Sequence, residues 1–171
     1  MIDRWIVLTG YMGAGKSTVG RALAKRLGCE FIDSDEAIVA EHGIDIPAMF
    51  ATKGELWFRR NEERLIRTLL TEHEPGVLAV GGGAVESART RDLFSRRGNT
   101  AWLQAPPEVL WQRVEAETGR PLATDRDRFI RRYDKRVPAY EEAGAMVVDA
   151  TQPVDDVVDA LHAWAVSGAQ G

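Results

Sequence analysis

The most chemically informative part of this sequence is a glycine-rich stretch that ends in a lysine, a serine and a threonine. It runs from Gly10 to Thr18 and fits the pattern Gly-x-x-x-x-Gly-Lys-Ser. In that pattern the loop amides surround phosphate oxygens, the lysine ammonium contacts the β- and γ-phosphates, and the serine hydroxyl coordinates Mg²⁺. The stretch therefore predicts an ATP-binding loop with its lysine in a catalytic position. The predicted ATP-binding residues of the loop are Gly13, Ala14, Gly15, Lys16, Ser17 and Thr18.

Two aspartates follow the next apolar segment of the chain. Asp33 and Asp35 come directly after a short predicted strand, at the end where open α/β sheets bind ligands. Because alternate residues of an extended segment point the same way, both carboxylates are expected to face the phosphate loop. One would help to hold Mg²⁺, and the other would accept a hydrogen bond or a proton from a substrate hydroxyl. The alternative is that Ser34 or Asp35 only caps the following helix.

An arginine and a glutamate interrupt the apolar face of a long helix predicted from about Glu55 to Thr71. Glu62 falls in the middle of an apolar stripe and Arg59 lies beside it, three residues away, so the two side chains can pair. A half-buried charge is costly unless it is paired. The pair is either a purely structural ion pair or a support that holds the Arg59 guanidinium for a substrate carboxylate, and we favour the second.

Three successive glycines, Gly81, Gly82 and Gly83, follow another predicted strand. Such a run costs chain entropy on folding, and a plain turn between a strand and a helix needs only one or two glycines. We therefore expect the backbone here to approach a ligand closely, with its N–H groups as donors.

The segment from Arg120 to Arg136 is strongly basic. It carries a surplus of four positive charges in a chain of net charge −4. Such a surplus attracts polyanions such as ATP, and its polar beginning suits a mobile lid over about residues 118–127 that brings an arginine onto the transferring phosphate. Helical spacing predicts that Arg128, Arg132 and Arg136 share a face opposite the aromatic residues that anchor the helix. The alternative for most of these arginines is a solvated face.

A regular alternation of strands and helices holds these candidate residues. Apolar runs predict five strands, at residues 5–9, 30–32, 77–80, 100–103 and 146–148. The alternation predicts an α/β fold in which helices cover both faces of a parallel sheet. Residues 118–126 are expected to form a polar turn, the helix from Arg128 to be disturbed near Pro138, and residues 167–171 to fray.

Length, charge and cysteine content narrow the class of protein. A chain of 171 residues is expected to form one domain with a sizeable core. Its net charge of −4 argues against a protein that coats nucleic acid. No apolar run reaches bilayer length, no signal peptide is visible, and Cys29 has no second cysteine with which to pair. We expect a cytoplasmic monomer without nucleic-acid or membrane partners.

The ordered set of motifs resembles the shikimate kinase family over nearly the whole chain. The matching stretches are Gly10–Thr18, Phe31–Asp35, Ile46–Phe50, Gly54–Arg59, Gly81–Gly83, Gly119–Leu122 and Arg136–Tyr140. The resemblance implies the three-layer αβα architecture of the nucleoside monophosphate kinase type of P-loop NTPase, with a five-stranded parallel sheet. It also implies phosphorylation of the 3-hydroxyl of shikimate by ATP with Mg²⁺, in the route to chorismate and the aromatic amino acids.

The resemblance implies a role for each residue of the acceptor site. The residues that would bind shikimate are Asp35, Phe58, Arg59, Glu62, Gly81, Gly82, Gly83 and Arg136. Among them, Arg59 and Arg136 would clamp the carboxylate, and Asp35 and the glycines would bind the hydroxyls. Glu62 would support Arg59, and Phe58 would pack near the ring.

The resemblance also implies which residues bind the metal and the phosphates. Ser17 and Asp33 would hold Mg²⁺, and Arg120 would reach the phosphates as a catalytic lid arginine. The family lid often reads Arg-Pro-Leu-Leu, whereas this chain reads Arg-Pro-Leu-Ala from Arg120 and reaches the basic helix sooner. We therefore expect a shortened lid.

The adenine contacts are predicted at two positions. Arg113, in the helix before the lid, is a candidate for stacking on the base. Gln152 lies near the last strand, where some members of the family place an arginine beside adenine. Both residues are therefore predicted to bind ATP.

Other functions are compatible with the same residues. Two arginines predict a carboxylate but do not identify the rest of the acceptor, so a kinase for another hydroxylated acid, such as gluconate, is an alternative. A nucleotide-dependent switch is another, although the chain has no Asn-Lys-x-Asp motif for reading guanine. A non-catalytic nucleotide-binding module ranks below both, because it has no use for the polar residues of the predicted pocket.

Overall fold

Five parallel strands form the centre of the computed structural model, which describes residues 2–118 and 123–168. The strands are β1 (Trp5–Thr9), β2 (Phe31–Asp33), β3 (Val77–Ala79), β4 (Gly98–Gln104) and β5 (Met146–Asp149). They pair in the order β2-β3-β1-β4-β5. The prediction of five strands in a parallel α/β sheet is therefore confirmed.

Helices cover both faces of the sheet. They are α1 (Lys16–Leu27), α2 (Ser34–His42), α3 (Ile46–Lys53), α4 (Glu55–Glu72), α5 (Ala88–Arg97), α6 (Pro107–Thr118), α7 (Ala123–Ala143) and α8 (Val154–Gly168). Helix α1 packs on α8, whereas α5 and α7 pack on β4. In the part of the chain that is described, none of these helices combines the length and the apolar character needed to cross a bilayer.

The central strand β1 explains why the predicted site residues meet. All five of its residues are buried, as its uninterrupted apolar run requires in a sheet covered on both faces. It pairs with β3 on one side and β4 on the other, and β2 lies beyond β3. Since all these strands are parallel, the phosphate loop after β1, the aspartates at the end of β2 and the glycines after β3 lie at the same edge of the sheet.

Helix α7 differs from the prediction at both ends. Residues 123–126 form its first turn instead of part of a polar turn, and residues 119–122 lie outside the described residues. At its other end the helix continues past Pro138 to Ala143. Proline removes one backbone donor from a helix. The last turn is nevertheless held on the sheet, because Tyr140 is buried and its ring stacks on Trp102 of β4 with centroids 5.5 Å apart.

The prediction that the arginines of α7 lie opposite its anchoring aromatic residues is wrong for Arg136. Phe129, Tyr133 and Arg136 are buried together, whereas Arg128 and Arg132 are exposed. Positions separated by four and then three residues lie on one side of a helix, so Arg136 belongs to the anchoring face and is carried inward by the aromatic residues before it.

Three smaller differences concern element boundaries. Helix α2 begins at Ser34, directly after β2, so the predicted extended segment ends before Asp35. A short 3₁₀ helix, Ala84–Glu86, follows the three glycines and was not predicted. Helix α8 continues through Ser167, where fraying was expected, because Ala165 in its last turn is buried. Residues 169–171 of the predicted frayed tail lie outside the described residues.

Candidate active site

The predicted phosphate loop connects β1 to α1. Gly13 and Gly15 have φ angles of +84° and +85°, which residues with a side chain rarely adopt. A Cβ atom at Gly13 would also lie 2.8 Å from the carbonyl oxygen of Leu110 in α6. Gly15 caps the N-terminus of α1, where free backbone amides and the helix dipole favour an anion. The loop thus has the geometry of an anion-binding site.

The Lys16 side chain is folded back onto this loop. Its ammonium donates hydrogen bonds to the carbonyl oxygens of Gly10 at 2.8 Å and Tyr11 at 3.2 Å. Burial lowers the pKa of Lys16 to about 8, against the opposing effect of the Asp35 and Asp33 carboxylates. Phosphate oxygens beside the ammonium would favour its charged form. Nucleotide binding and protonation of Lys16 are therefore expected to be coupled.

We expect ATP binding to take up protons at alkaline pH. Because the pKa of Lys16 is lowered to about 8, part of these side chains is neutral at alkaline pH in the free protein, and a bound phosphate would recharge them. Binding should therefore take up more protons at pH 9 than at pH 7, and affinity should fall as pH rises through the pKa of Lys16. Calorimetric titration of a non-hydrolysable ATP analogue in buffers of different ionisation enthalpy measures the uptake. Uptake of equal size in a Lys16→Met variant would assign it to another group.

Ser17 and Asp33, the predicted Mg²⁺ residues, are in contact. Ser17 Oγ donates to Asp33 Oδ2 at 2.5 Å. Asp33 Oδ1 accepts from the amides of Asp35 and Glu36 at 2.9 and 3.3 Å, so Asp33 caps α2, not Ser34 or Asp35 as the alternative supposed. Among the described residues, no cluster of three or more acidic, histidine or cysteine side chains could hold a metal. One hydroxyl and one carboxylate, completed by phosphates and water, nevertheless fit Mg²⁺, which rarely relies on an all-protein cage.

Asp35 approaches the site from the first turn of α2. Its Oδ1 atom lies so near Gly81 that a Cβ atom there would be only 2.8 Å away. Burial raises the pKa of Asp35 and the Asp33 carboxylate adds to this effect, while Lys16 and Arg59 oppose it. A carboxylate with a raised pKa is a better general base than an ordinary aspartate.

Arg59 and Glu62 form the predicted ion pair on α4. Arg59 Nη1 lies 2.6 Å from Glu62 Oε2, and the glutamate is buried. Burial raises the pKa of Glu62, whereas the charge of Arg59 and its hydrogen bond lower it. The Arg59 guanidinium also lies over the ring of Phe58, with Cζ 5.2 Å from the centroid. Glu62 therefore holds Nη1 of the guanidinium, and Nε lies 3.9 Å from Glu55 Oε1.

Two of the three glycines, Gly81 and Gly83, are required by the charged side chains that pack against them. The backbone of Gly81–Gly83 lies outside the left-handed region, so strain is not the reason for glycine here. A Cβ atom at Gly81 would lie 2.7 Å from Glu62 Oε1, and one at Gly83 would lie 2.6 Å from Arg59 Cζ. The predicted close approach of this backbone to a ligand stays a prediction, and its close approach to Arg59 and Glu62 was not predicted.

Arg136 reaches the same place from α7. Its guanidinium is almost completely buried, with Cζ 5.4 Å from the centroid of the Tyr11 ring. Nη2 donates to Glu86 Oε2 at 3.1 Å, and Nη1 lies beside Gly82. The Arg136 guanidinium therefore lies against the backbone of the glycine segment.

A cleft of about 250 Å³ next to the phosphate loop brings these side chains together. The predicted residues that line it are Lys16, Asp35, Phe58, Arg59, Glu62, Gly81, Gly82, Gly83 and Arg136. Arg132 lines it as well, together with Met12, Ile46 and Phe50, which were not predicted. The cleft thus combines guanidinium groups for an acid, carboxylates for hydroxyls and a partly apolar wall.

The two predicted adenine residues lie on the β5 side of the phosphate loop. Arg113 donates to the carbonyl oxygens of Gly13 at 3.2 Å and Ala150 at 2.7 Å, which ties the loop to the segment after β5. Gln152 lies in that segment and donates to Asp149 at 2.9 Å. Their contact with adenine stays a prediction. The predicted lid arginine, Arg120, lies outside the described residues.

Three side chains that support the site were missed by the sequence prediction. Ser34 Oγ accepts from the amide of Gly81 at 3.1 Å. The Tyr140 hydroxyl donates to the carbonyl oxygen of Gly82 at 2.5 Å. The Tyr11 hydroxyl donates to a backbone carbonyl of α7 at 3.2 Å, which joins the phosphate loop to that helix. For Tyr140 a signal was available, because it lies one helical turn after Arg136.

Comparison with protein families and relatives agrees with this geometry. The family model for shikimate kinase matches residues 12–165. A shikimate kinase from Ruegeria pomeroyi is 42% identical over 166 residues, which cover 95% of this chain and 85% of the relative. One from Halorhodospira halophila is 46% identical over 149 residues, covering 85% of this chain and 84% of the relative.

Solved structures show the same likeness. Shikimate kinase from Acinetobacter baumannii in complex with shikimate has a TM-score of 0.87 and 36% identity, over 96% of this chain and 94% of that chain. A gluconokinase from Sinorhizobium meliloti has a TM-score of 0.70 at 23% identity, over 99% of this chain and 95% of that one, and shows the fold alone. Matched by the family model and by such relatives along most of its length, this chain belongs to the shikimate kinase family.

Proposed function

We propose that this protein transfers the γ-phosphoryl group of ATP to the 3-hydroxyl of shikimate, giving shikimate 3-phosphate and ADP. The observation that carries the proposal is the cleft beside the phosphate loop, in which Arg59 and Arg136 lie with Asp35 and Lys16. An acid held by its carboxylate at the two arginines has its hydroxyls near the aspartate and the phosphates. The relatives named shikimate kinase support the same acceptor.

The acceptor is held mainly by charge. Arg59 and Arg136 donate hydrogen bonds to its carboxylate, and such charge-assisted bonds contribute about 1.5–3 kcal/mol each. The Phe58 ring packs against the apolar side of the acceptor. The Gly81 amide donates to Ser34 Oγ, so the amides of Gly82 and Gly83 are the ones that the hydroxyls would approach.

The chain contributes to the chemical step by position and by charge. Asp35 accepts the proton of the 3-hydroxyl while that oxygen attacks the γ-phosphorus. The bond between the γ-phosphorus and the β–γ bridging oxygen breaks, and ADP leaves with the electron pair. Lys16 and the loop amides stabilise the charge on the phosphate oxygens, so no covalent intermediate with the protein is required.

Ser17 and Asp33 are the residues that would hold Mg²⁺, through a hydroxyl and a carboxylate oxygen. When bound, the ion neutralises charge on the β- and γ-phosphates. We assign the adenine contacts to Arg113 and Gln152, and the lid contact with the phosphates to Arg120.

The remaining expectations about the whole molecule stand as part of this proposal. We propose one kinase domain over residues 1–171, with a substrate-binding segment at about 35–62 and a lid at about 118–127. We also propose a cytoplasmic monomer that works without nucleic-acid or membrane partners.

An assay of ADP release tests the function directly. With ATP and Mg²⁺, ADP release should depend on added shikimate, and gluconate should give a kcat/KM at least about a hundredfold lower, because its chain leaves polar groups of the site unpaired. The methyl ester of shikimate keeps every hydroxyl but loses the negative charge, so it should act as a poor substrate with a raised KM.

The same assay separates the alternatives. Faster turnover of gluconate than of shikimate would make the protein a gluconate kinase of the same fold. ADP release that no acceptor accelerates would identify a nucleotide-dependent switch. A methyl ester that reacts as well as the free acid would reject the arginine clamp while leaving the acceptor correct.

A further inference from the structure

Glu86 lies at the end of the 3₁₀ helix that follows the three glycines, and it contacts Arg136 from outside the acceptor cleft. We infer that Glu86 is a positioning residue, whose carboxylate orients the Arg136 guanidinium for the carboxylate of the acceptor. This inference rests on the proposed function, because it concerns the affinity for shikimate.

The contact occupies one edge of a buried guanidinium. Arg136 Nη2 lies 3.1 Å from Glu86 Oε2, and the Arg136 side chain is only 8% exposed. Within the described residues, Arg136 Nε is buried without a hydrogen-bond partner, and Nη1 lies beside Gly82 at the cleft. A buried guanidinium needs a compensating charge. Glu86 supplies that charge at Nη2, and a side-chain hydrogen bond with Tyr140 also holds the Arg136 guanidinium.

Glu86 is itself held in place through its backbone. Arg91 Nη1 on α5 donates to the carbonyl oxygens of Val85 at 2.7 Å and Glu86 at 3.3 Å. Arg91 Nη2 also lies 3.0 Å from Glu142 Oε2 on α7, the helix that carries Arg136. Glu86 and Arg136 are therefore linked in two ways. Their side chains are in direct contact, and Arg91 connects the Glu86 backbone to α7, the helix that carries Arg136.

The position of Glu86 relative to the cleft determines whether its carboxylate supports acceptor binding by Arg136 or competes with the acceptor. Glu86 lines an adjoining groove of about 680 Å³, which shares Arg59, Glu62 and Gly83 with the acceptor cleft, but Glu86 is not among the residues that line the cleft itself. Its carboxylate therefore reaches Arg136 without entering the space of the acceptor. Arg59 also pairs with a carboxylate, that of Glu62, although Glu62 lines the acceptor cleft itself.

The test compares Glu86→Ala and Glu86→Gln in steady-state kinetics with shikimate and ATP. In Glu86→Ala the KM for shikimate should rise about three- to tenfold, a range set low because the Glu86 side chain is 48% exposed. The kcat should stay within about twofold and the KM for ATP should not change, because the arginine binds the acceptor and not the nucleotide. Glu86→Gln should recover most of the affinity, since its amide oxygen still accepts from Nη2.

Two further variants make the assignment specific. Glu63→Ala removes an acid from the same groove that contacts Ser87 and not Arg136, and it should leave the KM for shikimate unchanged. In an Arg136→Met background, Glu86→Ala should cause no further loss of kcat/KM, because its effect passes through Arg136.

Three results would overturn the inference. A KM for shikimate that falls in Glu86→Ala would mean that the carboxylate competes with the acceptor. An unchanged KM, or a full additional loss in the Arg136→Met background, would mean that Glu86 does not act through Arg136. Failure of the unmodified protein to phosphorylate shikimate is a different result, because it rejects the proposed function and with it any role of Glu86 in shikimate affinity.

Discussion

Replacing Lys16 by methionine should lower kcat/KM for shikimate phosphorylation at least about a thousandfold, in the range found when a charged group that stabilises a transferring phosphoryl is removed. Methionine keeps the unbranched shape of the side chain and removes only the ammonium. The ammonium lies in the cleft with Asp35 and hydrogen-bonds the phosphate loop at Gly10 and Tyr11. It is therefore a positive charge beside the place where the γ-phosphate is expected.

Lys25→Met is the matched control for this variant. Lys25 lies on the same helix, α1, and is exposed, so its replacement should leave kcat/KM unchanged. Circular dichroism and thermal unfolding of both variants establish whether the fold is kept, and a shikimate affinity that persists in Lys16→Met would show that the acceptor cleft is intact. Turnover by Lys16→Met within tenfold of the unmodified protein would remove Lys16 from its catalytic role.

The phosphate loop could be predicted from the sequence because its geometry is local. The positive φ angles of Gly13 and Gly15 follow from residue types within a few positions, and the flanking strand and helix are short-range patterns. The pair of Arg59 and Glu62 could be predicted for the same reason, since spacing along one helix determines which side chains meet. In both cases the interaction that matters lies within one turn or one helix.

The surroundings of Arg136 show where local reasoning stops. A solvated face was the alternative for most arginines of this segment, but the buried positions of Phe129, Tyr133 and Tyr140 place Arg136 on the side of α7 that packs on the sheet. Its partner Glu86 lies 50 positions earlier in the chain. A contact of that kind depends on how α7 packs against the 3₁₀ helix, and no periodicity in either segment reports it.

Asp35 lies in the cleft beside the phosphate loop, as expected, but the local structure predicted for it was wrong. The prediction relied on alternation along an extended segment, whereas the strand ends at Asp33 and Asp35 lies in the first turn of α2. Asp35 still lies near the phosphate loop because the carboxyl ends of β1 and β2 are at one edge of the sheet. This does not depend on the conformation of the residues that follow β2. Topology thus located the residue, and only the structure described how it is presented.

The Asp35→Asn variant should lower kcat about 10²–10⁴-fold, the range expected when a general base is removed. Asparagine keeps the size of the side chain and a hydrogen-bond acceptor, so the KM for shikimate should change far less than kcat. Glu36→Gln is the control, because it removes the next carboxylate along α2, which is exposed and pairs with Arg21 outside the cleft.

The pH dependence of the Asp35→Asn variant distinguishes a base from a residue that only orients the acceptor. Burial and the Asp33 carboxylate raise the pKa of Asp35 above its ordinary value of 3.8 in the free protein. A base must be ionised, so kcat/KM for shikimate should fall as pH decreases through that raised pKa. Titration of ATP affects the variant and the unmodified protein alike and cancels in the ratio of their rates. The ratio should therefore approach one as pH decreases, and a ratio that is constant with pH would leave Asp35 with an orienting role alone.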